Sequence, residues 1–136
     1  MRRTGILWLL AAGLIGGLAP PAAAQIEARE AFMERQDLLV RLAGHFGALH
    51  RLDQLCGRGY EDDRFRKRMR EIVPLEVPMG ATRLDMVEAF NTGYRNMSRV
   101  YLSCSAEAAA AYESEARESL SVVDRLARPF QRQRQE

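Results

Sequence analysis

The sequence is poor in the residues from which active sites are most often built. It has two histidines and two cysteines, and Lys67 is the one lysine among 20 basic residues. It contains no Gly-x-Ser-x-Gly elbow, no His-Glu-x-x-His pair, no phosphate-binding glycine loop and no Cys-x-x-Cys-His. Asp62-Asp63 and Glu113/Glu115 are neighbouring carboxylates without the facing geometry that glycoside chemistry needs. Ser114, Ser119 and Ser121 cluster on a stretch with no histidine. These absences argue against an enzyme and leave open a site assembled only in space. There is no alternating strand pattern, no internal repeat and no sign of a second domain.

The first two dozen residues differ in kind from the rest. Arg2 and Arg3 precede an uncharged run from Ile6 to Ala19, and Pro20-Pro21-Ala22-Ala23-Ala24 follows. That order reads as a secretory signal peptide over residues 1–24, cut before Gln25. The run is short and glycine-rich for a membrane span, which needs about 20 apolar residues. The alternative is an uncleaved anchor. No cysteine lies near the cut, which argues against a lipid anchor. Export implies a periplasmic location and no stable membrane span after cleavage. The chain has 20 basic and 18 acidic residues, and two arginines leave with the leader, so the remainder is neutral. Neither nucleic acid nor an anionic membrane is implied as a partner.

The remaining chain, about 112 residues, makes one domain. Its apolar spacing is helical nearly throughout. Leu38, Leu42, His45, Leu49, Leu52 and Cys56 form the face of a long first helix from about Ile26 to Cys56, stopped by Gly57 and Gly59. Glu61, Asp62 and Asp63 open a short second helix whose inner face is Phe65, Met69, Ile72 and Val73. Pro74 should end or kink it, and Pro78 and Gly80 make the next turn. Thr82 is the expected cap of a third helix with the stripe Val87, Phe90, Tyr94, Met97, Tyr101 and Cys104. Ser105 is the expected cap of a fourth, with Glu107 near its positive end and Ala109, Tyr112, Ala116, Leu120, Val123 and Ala127 inside. Pro129 should close that helix and leave residues 129–136 as a flexible polar tail. The expectation is all-α, a three- to four-helix antiparallel bundle over residues 25–128.

Each stripe on the first and third helices ends at a cysteine. In an up-down-up arrangement those two ends meet, so a Cys56–Cys104 disulfide closes a loop of about 48 residues and contributes roughly 4 kcal/mol. A redox-active pair is the alternative, but no Cys-x-x-Cys spacing lowers a thiol pKa here.

Several strings resemble a family of small exported proteins of alphaproteobacteria that is known only as uncharacterised. They are Leu49-His50-Arg51-Leu52 through Leu55-Cys56, the arginine-rich Arg64 to Met69, Ala89-Phe90-Asn91 through Gly93-Tyr94-Arg95, and Tyr101 through Cys104 ahead of an alanine-rich helix. Phe65 departs from the tryptophan expected there. The resemblance implies a periplasmic helical domain and the pairing of Cys56 with Cys104. It implies no activity.

Two constellations and one cluster merit weighing as sites. His45 and His50, five residues apart, point about 140° apart and cannot chelate one metal together. His50 and Asp53 share a face and could bind a metal with a third ligand, against the plainer reading of a structural pair. Asn91, Tyr94 and Arg95 surround Gly93, a costly residue in mid-helix, and the first helix offers a matching small pair in Gly44 and Gly47. Close helix packing is one reading, and a polar binding surface where Arg95 meets a carboxylate or phosphate is the other. Arg64, Arg66, Lys67, Arg68 and Arg70 are the densest charge cluster, either a solvated face neutralised by Asp62, Asp63 and Glu71 or a surface for an acidic partner. The leading expectation is a non-catalytic periplasmic protein, without a cofactor, that binds another protein or an envelope component. The candidate surface is Arg64, Arg66, Arg68, Arg70, Asn91, Tyr94 and Arg95. Small-ligand or metal binding at His50 and Asp53 is the alternative.

Overall fold

The structure, a computed structural model, describes residues 22–57, 63–76 and 80–134. Most of the leader expected at residues 1–24 lies outside the described residues, as do Gly59, Glu61, Asp62 and Pro78. The described chain is α1 (Ala22–Cys56), α2 (Arg64–Ile72), a 3-10 turn (Val73–Leu75), α3 (Ala81–Val100) and α4 (Ala106–Gln133). The all-α architecture with one disulfide is therefore present, and among the described residues there is no strand.

Helix α1 is the spine. Its 35 residues span about 52 Å, and α2, α3 and α4 each pack against it. Among the described residues, α3 and α4 do not approach one another. One core lies between α1, α2 and α3, formed by Leu39, Ala43, Met69, Met86 and Phe90. A second, between α1 and α4, is formed by Leu38, Leu42 and Val122. Phe46 and Leu126 pack against both. Residues 22–35 of α1 are exposed almost without relief, because α3 begins only at Ala81 and leaves α4 as their neighbour.

Glycine permits the tightest contact. A Cβ on Gly93 would collide with the carbonyl oxygen of Gly44 and lie 3.0 Å from the Ala48 nitrogen. A Cβ on Gly47 would collide with the Phe90 carbonyl. The α1–α3 crossing is thus backbone on backbone, which explains two glycines whose helical propensity is about 1 kcal/mol worse than alanine. Gly57, at φ 59°, ends α1 in the left-handed conformation.

Pro74 tightens the end of α2 into the 3-10 turn and leaves carbonyls to be satisfied. Arg83 of α3 satisfies them, Nε donating to the Val73 carbonyl at 3.1 Å and Nη2 to that of Pro74 at 2.8 Å. Glu76, buried just beyond, receives both guanidinium nitrogens of Arg35 at 3.1 and 2.7 Å and the Gln36 amide at 3.4 Å. Those contacts hold the Glu76 carboxyl below its ordinary pKa, the Arg35 hydrogen bond contributing most.

Five boundary or face expectations are corrected. Gly80, not Thr82, precedes α3; its extended backbone starts the helix without a side-chain cap. Cys104 is not in the last turn of α3, which ends at Val100. Tyr101 turns extended and carries the chain across to Cys56, giving a disulfide with Cα atoms 5.0 Å apart. Met86 is buried whereas Val87 is largely exposed, because the face of α3 against α1 is set by Phe90 and Gly93. On α4 the face toward α1 carries Ala108, Ser119 and Val122, and Leu120 and Val123 point outward. Two polar positions on that face explain the misphasing. Glu115 meets His45 Nδ1 at 2.6 Å, and Ser119 donates to the Ala116 carbonyl at 2.9 Å. Finally, α4 runs through Pro129 to Gln133. The missing Pro129 N–H costs one bond, to the Arg125 carbonyl, near an exposed helix end where water can replace it. Ser105 does cap α4, accepting the Ala108 N–H at 3.2 Å.

Candidate functional site

The arginine-rich helix does not act as one patch, because its arginines point to different elements. Arg64 turns inward, donating from Nη2 at 2.8 Å both to Asp53 of α1 and to the Tyr112 hydroxyl of α4. It also stacks 5.0 Å from the Phe65 ring. Asp53 is buried, so Arg64 serves as its counter-ion and ties three helices together. Arg68 pairs with Glu71 on the exposed surface at 2.6 Å. Arg66 and Arg70 share Asp63, at 3.9 and 3.0 Å. Among the described residues, two cations thus face one carboxylate at this edge.

That edge borders a groove. Arg66, Met69 and Arg70 share one face of α2, continued by Val73 of the 3-10 turn, and Val87, Phe90 and Asn91 share one of α3. With Pro74 they enclose about 330 Å³. Met69, Val73, Pro74, Val87 and Phe90 make an apolar floor; Arg66, Arg70 and Asn91 stand at the mouth. The bend at Pro74 opens the space, because a straight α2 would carry its apolar face onward against α3. Among the described residues, no His, Cys, Ser or carboxylate lines the groove. The groove therefore offers apolar area, two guanidinium forks and an amide, groups that can meet an anionic, partly apolar segment.

The other candidates lie elsewhere. Tyr94 donates its hydroxyl to Gln54 at 3.0 Å, and Arg95 donates to the Thr92 hydroxyl at 2.9 Å on the exposed side of α3. Of the seven surface candidates, the groove gathers Arg66, Arg70 and Asn91.

His50 is 1 % exposed, its ring 5.8 Å from those of both Phe90 and Tyr94. Its Nε2 lies 3.3 Å from the Gln54 amide and 3.8 Å from Asp63, and Nδ1 has no hydrogen-bond partner among the described residues. Burial, reinforced by Arg66, pushes its pKa down against the pull of Asp63 and Asp53. The expected His50–Asp53 pair is replaced, since Asp53 is taken by Arg64. Among the described residues no three His, Cys, Asp or Glu converge to hold a metal ion.

Residues 35–130 match the family described as "Protein of unknown function (DUF2385)". The chain belongs to that family. The matched DUF2385 region holds the groove, the disulfide and the whole of α2 and α3, and omits the exposed start of α1. No curated protein and no solved structure matches the chain. The groove floor was the part sequence reasoning missed. The signal was there in Pro74, placed one residue past Val73 on an otherwise continuous apolar face.

Proposed function

We propose that this is a non-catalytic periplasmic protein that binds a partner protein in the α2–α3 groove. The partner supplies a short segment carrying apolar side chains for the floor and an acidic group for Arg66 and Arg70. The observation that carries the reading is the placement of these two arginines, which share Asp63 among the described residues, over an apolar floor. A disulfide-closed domain suits an oxidising compartment, and among the described residues no helix is long and apolar enough to cross a membrane.

A photo-crosslinking residue at Val87, an exposed part of the groove floor, tests this in the living cell. A discrete protein adduct is expected from position 87, absent from a control at Leu102 and lost on combined Arg66→Glu and Arg70→Glu substitution. No adduct, or one indifferent to the charge reversal, overturns the proposal. The denatured mass of the protein recovered from the periplasm tests export separately, through cleavage before Gln25.

A further inference from the structure

Helix α4 has a second apolar row whose large members Leu120, Val123 and Phe130 the fold leaves exposed, while Ala109, Tyr112, Ala116 and Ala127 are half-buried. Ala109, Tyr112, Ala116, Leu120, Val123, Ala127 and Phe130 recur at steps of three and four over about 32 Å of helix. This row sits roughly 100° around α4 from the row packed on α1. Leu120 is 62 % exposed, Val123 40 % and Phe130 63 %, although each is a large apolar side chain at a seam position. In a closed bundle another helix would cover such a row, but among the described residues α3 packs on α1 without reaching α4.

The charges beside the row say what fits it. One flank reads Glu113, Arg117, Asp124, Arg128, alternating in sign. In an antiparallel helix pair each flank faces its own copy, so the sequence must complement itself when reversed. It does. Reversal about the midpoint between Leu120 and Ser121 sets Arg117 opposite Asp124 of the second copy, and Glu113 opposite Arg128. Arg117 and Asp124 are both exposed, and neither has an ion-pair partner among the described residues. In the same register Val123 of the second copy falls between Ala116 and Leu120, and its Ala127 falls between Tyr112 and Ala116. Large side chains thus enter gaps beside small ones.

We propose that α4 is a homodimerisation helix, pairing antiparallel with α4 of a second copy about a two-fold axis at Leu120/Ser121. The row shares no residue with the α2–α3 groove, so a dimer would present two grooves. Sedimentation and light scattering on the purified, oxidised protein test the pairing, with circular dichroism to confirm that each variant stays folded. The expected mass is twice that of one chain. Leu120→Glu, at an exposed position, should give a monomer. By symmetry each single charge reversal acts twice, so Arg117→Asp or Asp124→Arg should each weaken the dimer about tenfold. The two together should restore it, because the swap re-forms both pairs. A protein monomeric throughout its soluble range, a dimer indifferent to Leu120→Glu, or a double reversal no tighter than the singles would each overturn the proposal.

Discussion

Three glycines at the α1–α3 crossing look alike in sequence and differ in what they forbid. A methyl on Gly47 or Gly93 meets backbone that cannot move without separating the helices. Gly47→Ala and Gly93→Ala should therefore each cost about 3 kcal/mol in urea unfolding. A methyl on Gly44 lies 3.8 Å from the Ala89 carbonyl, an ordinary contact. Gly44→Ala should be neutral or stabilise by up to about 1 kcal/mol through helix propensity. The two histidines also part company. The hydrogen bond to Glu115, aided by Glu118 and opposed by burial and Arg41, raises the His45 pKa above its ordinary 6.5. Its stabilisation is complete below that pH and is lost as pH rises through the folded value. Burial lowers the His50 pKa, so the unfolded chain takes up the proton first and stability falls as pH drops below 6.5. Urea titrations from pH 5 to pH 8 should show a maximum near 6.5. His45→Gln should flatten the alkaline limb and His50→Gln the acid limb. The sequence showed where the histidines and glycines lay on their helix. It could not show their partners, since Glu115 and Asp63 come from other elements.

Helix termini were legible in part, where the signal is local. Gly57 stops α1 and Ser105 caps α4 as read from the residues alone. Ser105→Ala should cost about 1 kcal/mol in thermal or urea unfolding, and should also release Glu107, whose pKa is held down first by its hydrogen bond with Ser105. Faces were harder. On α4 the apolar letters trace the outward row, because Glu115 and Ser119 interrupt the inward one. On α3 the stripe drifted by one residue because glycine, which scores as neither apolar nor polar, makes the decisive contact. Arg83, which satisfies the carbonyls at the Pro74 bend, carries no sequence signal at all.

For the whole molecule, helix number, chain direction and the meeting of the two cysteines followed from periodicity and turn residues. The division into two cores around α1 did not, since it depends on which faces remain unsatisfied. The 48-residue loop between Cys56 and Cys104 makes the disulfide a large share of the stability. Reduction should lower the unfolding free energy by about 4 kcal/mol on the chain-entropy account, measured by urea melts with and without reductant. Its position matters as much as its size. Cys104 stands one residue ahead of the Ser105 cap, so the bond anchors the foot of α4 to the foot of α1. Among the described residues α1 is the one helix whose backbone packs against α4, so any opening of α4 would turn about this fixed hinge and expose Leu38, Leu42 and Val122. Its return is then an intramolecular event at an effective concentration set by the hinge, far above that of any neighbouring chain. The cross-link thereby guards against exchange of α4 between molecules, a protection that a disulfide elsewhere in the fold would not give.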